Sequence, residues 1–330
     1  MLSTASAQVC VPLGHSSLLC IVFLQIGGQL QVQVPHHKVS PLNQLLITLR
    51  YYATGTFQLV VGDTFNVHKS TVCRIVHRVT AAIARLRPKY VRFPATREER
   101  HKVMTSFFST SGMPGVIGAI DCTHVPIQSP GGDDAEIYRN RKGYFSINVQ
   151  LISDQTGYVS DVVARWPGSV HDSTIFDNSH LRAQLECSTA EGYLIGDGGY
   201  PCRRYLLTPV PNPVTVAEKA YNASHVAARN SIERANGILK RRFPALKYGM
   251  RITVEHTLPV IVAAVVLNNI ALIMGEDEPP VDEQLSSYIQ RMRLHGVPVA
   301  VEPAEVEPPQ NAGHPGLAGV RQAVIHSHFN

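Results

Sequence analysis

Two apolar runs with strand character, Val116 to Ile120 and Tyr193 to Gly196, each lead straight into an aspartate, Asp121 and Asp197. Short apolar runs of this kind fit buried strands, and an ionised carboxylate at the end of a buried strand is unfavourable unless something partners it. One such aspartate is explained by a turn that it caps. Two of them, together with the helical stretch Val216 to Arg242 that carries Glu233, point to acids gathered at neighbouring strand ends, where hard oxygen ligands suit Mg²⁺ or Mn²⁺. Strand patterns at Ile147–Ile152 and Tyr158–Trp166 and a second late helix at Leu258–Met274 complete the expectation of a mixed α/β core.

The chain ahead of this core reads as helical. Leu42, Leu45, Leu46, Leu49 and Tyr52 recur at spacings of three and four behind Ser40 as N-cap and Pro41 at the first helical position, and Gly55 ends the helix. A short helix over Phe57–Phe65, a turn at Asn66-Val67 and a longer helix from near Ser70 follow. In the last of these Val72, Ile75, Val76, Val79 and Ile83 share one face. These are the ingredients of a helix-turn-helix whose final helix offers Lys69, Ser70, Thr71 and Arg74 to DNA; plain three-helix packing gives the same periodicity. Charge favours a polyanion partner: residues 39–104 hold eleven Lys and Arg against three acids, a balance of +8, within a chain of net charge +5.

Composition narrows the remaining choices. The six cysteines stand singly, with no Cys-x-x-Cys pair, which argues against a disulfide scaffold or a zinc ribbon. The apolar stretch Leu258–Met274 is interrupted by Asn268 and Asn269 and reads as a buried core helix, not a membrane span. Leu18–Ile26 has no Lys or Arg before it, so the basic region of a secretory signal is missing. A soluble intracellular protein without membrane contact is the expectation. Residues 1–38 read as a poorly ordered leader. From Gly275 the acids Glu276, Asp277, Glu278, Asp282 and Glu283 among prolines read as a largely flexible tail with one short helix at Glu283–Leu294.

Several longer motifs occur in fixed order: Gly118-Ala119-Ile120-Asp121-Cys122-Thr123-His124-Val125-Pro126-Ile127, Asn140-Arg141-Lys142-Gly143-Tyr144, Trp166-Pro167-Gly168-Ser169-Val170-His171-Asp172-Ser173, Gly196-Asp197-Gly198-Gly199-Tyr200-Pro201, and Arg229 to Phe243. Over roughly Val39 to Met274 they resemble the PIF/Harbinger transposases and the domesticated Harbinger-derived nucleases of the DDE superfamily, and Gly316–Phe329 is similar to that family's C-terminal end. The resemblance implies a helix-turn-helix-like module over 39–108, an RNase H-like catalytic core over 115–274 (a mixed sheet flanked by helices), and a tail over 275–330. It implies a catalytic triad of Asp121, Asp197 and Glu233, with 35 residues between the last two. Asp172 is a further acid at the metal site.

In such a core two divalent ions, Mg²⁺ or Mn²⁺, stand about 4 Å apart, Asp121 bridging both and Asp197 and Glu233 each holding one. His124 and His171 beside the acids read as hydrogen-bonded structural residues. Arg141, Lys142, Arg229 and Lys240 are the further candidates for phosphate contact, with Arg139 and the run Lys240-Arg241-Arg242 read either as phosphate clamps or as solvated faces. Arg229 precedes Glu233 by four residues, the poorer order for an intrahelical ion pair, which favours a separate use of Glu233. The chain departs from the family at Asn236, where an aromatic is usual, and at Asn268-Asn269, where His-Asn is usual; all three read as packing positions. The leading expectation is a metal-dependent endonuclease acting on DNA. The alternatives are a catalytically silent DNA- or protein-binding factor that keeps the fold, and an active transposase. The resemblance further implies a Myb-like DNA-binding partner and a nuclear location, with the cytoplasm as a second one.

Overall fold

The computed structural model describes residues 16–26, 39–188, 191–280 and 319–329. It divides into two compact units, neither of them a continuous stretch of chain: the first takes Met1–Tyr90, Val125–Ala135 and Ile238–Ala300, the second Val91–His124, Glu136–Gly237 and Val301–Asn330.

The first unit is helical. Helix α1 spans Ser16–Ile26, α2 Pro41–Thr54, α3 Gln58–Phe65, α4 Lys69–Ala84 and α5 Arg87–Tyr90. The expected caps of α2 are present: Ser40 Oγ accepts from the Asn43 N–H, and Gly55 closes the helix in the left-handed conformation at φ 60°. The turn between α3 and α4 is tight. Asn66 is left-handed at φ 52°, and a Cβ at Gly62 would stand 2.5 Å from the Val67 carbonyl oxygen, so only glycine fits. Helix α4 forms although it is rich in Val, Ile and Thr. Such residues cost up to about 0.7 kcal/mol each in helix propensity, whereas burying a Val or Ile returns about 1.5–3 kcal/mol, and Val72, Ile75, Val76, Val79 and Ile83 are all buried. They pack against α2 and against α11, Val254–Ile273. Helix α11 is long and apolar enough to cross a membrane by length and composition alone, yet it is mostly buried here, as a core helix should be. Asn269 Nδ2 donates to the Tyr90 carbonyl at 2.7 Å, and Tyr52 sets its ring edge-on to Phe243 and its hydroxyl 2.6 Å from Thr80 Oγ1.

Part of the expected leader belongs to this unit. Val22 and Ile26 of α1 are buried, and Gln25 Nε2 donates to the Tyr90 hydroxyl at 2.6 Å. The acidic stretch after Gly275 is likewise built in at its start. Arg242, at the end of helix α9 (Val216–Arg242), donates to Glu276, to Asn268 Oδ1 and to the Asp277 carbonyl. Residues 1–15 and 27–38, and the helix expected at Glu283–Leu294, lie outside the described residues.

The second unit carries a five-stranded sheet in the order β3-β2-β1-β4-β5, with β1 Val116–Pro126, β2 Ser146–Ser153, β3 Val159–Pro167, β4 Tyr193–Ile195 and β5 Leu206–Leu207. Strands β2 and β3 are antiparallel, while β4 runs parallel to both β1 and β5: a mixed sheet with helices, consistent with the RNase H-like expectation. Helix α6 (Arg97–Ser111) opens on a reciprocal cap between Thr96 and Glu99. Helices α7 (Asp172–Asp177) and α8 (His180–Cys187) place Phe176, Leu181 and Leu185 against Ile117, Ile120, Ile152 and Leu194 of the sheet. After α10 (Ala245–Tyr248) and α11 in the first unit, a last helix, α12 (Gly319–His328), returns to the second unit. It buries Ile325, and its Arg321 donates to the Thr208 and Pro209 carbonyls.

Helix α9 is fixed to β5 through His225, which is 0% exposed and donates from Nε2 to the Leu207 carbonyl at 3.2 Å. Its Nδ1 is buried without a hydrogen-bond partner. Burial holds this histidine neutral, pushing its pKa from 6.5 down to about 4. The unfolded chain therefore binds a proton near pH 6.5 that the folded chain takes up only near pH 4. Stability is full above pH 6.5 and falls as the pH drops through that window, by about 3 kcal/mol for this one group. Urea denaturation at pH 7.5 and pH 4.5 measures the fall, and in His225→Gln the fall should be smaller by about that amount.

Candidate active site

The candidate acids all lie in the second unit. Strand β1 does not stop at Asp121 as expected; it runs on to Pro126, and Asp121 sits in mid-strand where burial changes from continuous to alternating. The carboxylate is accommodated there because Asn236 Nδ2 of α9 donates to Asp121 Oδ2 at 2.9 Å. In the parallel pair β1·β4, Ala119 stands opposite Ile195. Asp121 lies two residues beyond Ala119 within β1, and Asp197 lies two residues beyond Ile195, past the end of β4. Just beyond β4, Asp197 Oδ1 accepts from the Gly199 N–H at 3.0 Å, the turn-capping bond that a single strand-end aspartate would be expected to make.

Consecutive strand residues leave a strand on opposite sides. Asp121 meets α9, whereas the Cys122 thiol is hydrogen-bonded to Asp172 and stands 3.4 Å from the Tyr200 hydroxyl. Asp172 opens α7. Its Oδ1 accepts from Asn148 Nδ2 at 2.8 Å, and the same amide donates to the Val170 carbonyl at 2.9 Å. Burial raises the Asp172 pKa, and the neighbouring charge of Asp197 adds to the rise against the Asn148 bond and the charge of Arg141. Burial also pushes the Cys122 thiol and the Tyr200 phenol well above their ordinary values. Tyr200 is wedged edge-on against Phe176.

Glu233 is on α9, one turn before Asn236, and its carboxylate is engaged: Arg229 Nη2 donates to Glu233 Oε1. The unfavourable residue order does not prevent this pair, because both side chains reach along the partly exposed face of one helix. Asp121 is thus tied to the helix that carries Glu233, and Asp172 is coupled to Asp197 by charge. Among the described residues, no group of three His, Cys, Asp or Glu side chains stands at coordinating distance.

The donor set nonetheless fits a hard divalent cation. It consists of carboxylates, with the charge of Asp197 acting on Asp172, and buried, unpartnered amide oxygens on Asn148 and Asn236. His124 is hydrogen-bonded to Ser146 Oγ at 3.0 Å, which agrees with its structural reading.

The basic candidates separate. Arg139 is spent on Glu136, the Gly143 carbonyl and the Phe145 ring. Arg141 and Lys142 are exposed on the turn before β2. Lys69, Ser70 and Arg74 are exposed on α4 and Thr71 is half-buried, but Ser70 is bound to the N-cap, His68, through Nδ1 at 2.8 Å. Arg242 is removed from any clamp by its burial, and Arg241 donates to the Pro279 carbonyl. Lys240 is half-buried. Sequence reasoning missed Asn236, Asn268 and Asn269 as hydrogen-bonding positions. An amide inside an otherwise apolar helical pattern was the available signal.

The mixed five-stranded sheet flanked by helices is consistent with a DDE-type core, and the comparisons with known proteins agree. The family described as DDE superfamily endonuclease matches residues 120–269, and the helix-turn-helix of DDE superfamily endonuclease matches 37–88. The chain belongs to this family, in its Harbinger transposase-derived branch. It is 36% identical to the Mus musculus protein named "Putative nuclease HARBI1" over 72% of this chain and 69% of that protein. Identity to the Homo sapiens protein of the same name is 35%, with the same coverage. To "Protein ALP1-like" of Arabidopsis thaliana it is 27% over 76% of this chain and 66% of that protein. No solved structure matches the chain.

Proposed function

We propose that this protein is a divalent-metal-dependent endonuclease that cleaves DNA phosphodiester bonds, with Asp121, Asp197 and Glu233 as its catalytic carboxylates and Asp172 beside them. The observation that supports the reading is that Asn236 ties Asp121 to the helix bearing Glu233, while the charge of Asp197 acts on Asp172. Bound Mg²⁺ or Mn²⁺ would supply the charge that activates the attacking water and stabilises the leaving oxygen. Asn236 and Asn148 hold the carboxylates of Asp121 and Asp172. Arg141, whose charge acts on Asp172, and exposed Lys142 are suited to hold a DNA phosphate near the acids. Cleavage of supercoiled plasmid should require Mg²⁺ or Mn²⁺, stop in EDTA and return when the ion is restored. Cleavage that persists in EDTA would defeat the proposal. Binding without cleavage under any divalent ion would leave the silent-factor reading in its place.

DNA is held in this reading by the helix-turn-helix and its basic surround. With several phosphates neutralised, log K for duplex DNA should fall by about 0.9 per log unit of salt for each phosphate contacted. A titration between 50 and 300 mM salt that gives a flat line would remove DNA from this surface. Few side chains at the start of α4 can reach base edges, so the reading extends to a separate Myb-like partner for sequence choice and to a nuclear location.

A further inference from the structure

We infer that Asn236 is a positioning residue for Asp121, an inference that rests on the metal-nuclease reading above. Asn236 is 7% exposed. Its Nδ2 donates to Asp121 Oδ2 across 115 residues of sequence, and its Oδ1 is buried with no hydrogen-bond partner.

An amide with one satisfied end has had its orientation chosen for it. Turning it over would set Oδ1 against a carboxylate oxygen, lone pair against lone pair, so the charge of Asp121 dictates the orientation. The bond supplies a donor without a positive charge. A lysine or arginine in the same place would neutralise Asp121 and oppose a cation, whereas the amide fixes the carboxylate plane and leaves its charge available. Because α9 also carries Glu233 one turn earlier, the same bond sets the spacing between a strand acid and a helix acid that belong to distant parts of the chain.

The unpartnered Oδ1 marks a position that is not optimised for stability. A leucine of similar volume removes the buried orphan but also the amide that donates to Asp121, so the two effects on the melting temperature oppose one another and its change should be small. Loss of a group that orients a metal ligand typically weakens metal affinity about 10- to 100-fold. Metal affinity should therefore fall with little change in stability, which a merely structural residue would not produce.

The test is Mn²⁺ binding to the full chain, read from the free-ion EPR signal, with thermal unfolding in the metal-free state alongside. Asn236→Leu should raise the Mn²⁺ dissociation constant at least tenfold with little change in the melting temperature, and Asn236→Ala should weaken Mn²⁺ binding similarly. Asp121→Asn is the control for the reading beneath. If Asp121→Asn weakens Mn²⁺ binding but the Asn236 variants bind as the wild type does, the positioning role is overturned and the metal site stands. Should Asn236→Leu fold poorly, Asn236→Ala decides by the same criterion. If Asp121→Asn leaves Mn²⁺ binding unchanged, the metal site and the positioning role fall together.

Discussion

Asp121→Asn, Asp197→Asn and Glu233→Gln are each expected to lower metal-dependent DNA cleavage about a thousandfold or more, equivalent to about 4 kcal/mol of transition-state stabilisation. Each change removes one negative charge from the set that holds the ions and leaves the volume nearly unchanged. The fold should survive, because none of the three side chains is in a hydrophobic cluster: Glu233 is exposed, and Asp121 and Asp197 are partly exposed. Single-turnover cleavage, with circular dichroism of each variant, makes the comparison. Three variants that cleave like the wild type would place the chemistry elsewhere. A further variant, Arg229→Gln, separates two roles of Arg229. If Arg229 serves only as the ion-pair partner of Glu233, Arg229→Gln should leave DNA affinity intact, whereas a phosphate contact would make affinity and its salt slope fall together.

The largest stability loss should come from Arg242. Its side chain is 3% exposed and that of Glu276 4%, with 3.3 Å between them, and burial pulls the arginine pKa down against the charges of Glu276 and Glu278. Removing one member of a buried pair strands the other charge, at about 3–5 kcal/mol. Arg242→Met should therefore unfold at markedly lower urea, while Arg242→Met combined with Glu276→Met should recover most of the loss. If the double variant is as unstable as the single one, packing and not charge is what Arg242 contributes.

Much of the local structure could be read directly from residue order. Ser40, Pro41 and Gly55 bound α2 as their cap chemistry requires, and the Val and Ile pattern of α4 identifies the buried face. The bounds of α9 at Val216 and Arg242 also agree, because the basic run and Pro244 end the helix at a readable place. What escaped lies in contacts between distant residues. Asp121 looked like a strand end because an acid inside a buried strand is unfavourable in isolation, and its donor is on a helix far along the chain. Glu276 looked like part of a solvated tail because nothing nearby in sequence announces that Arg242 takes it up. Around the motif acids, the amides that donate to Asp172 and Asp121 were not legible, since Asn148 and Asn236 are apolar-pattern positions until their partners are known.

The pairing of Ala119 with Ile195 sets the phase of β4 against β1, and that makes some genetic lesions far worse than others. Losing or gaining one codon between Gly192 and Gly196 would slide β4 by one residue against β1 and turn its side chains to the opposite side of the sheet. A two-codon change would restore their side but displace them by about 7 Å along the strand. The turn at Gly131 and Gly132, where an added Cβ meets nothing within 4 Å, carries no such phase. Insertions there should be tolerated in a lineage that has lost every length variant around β4.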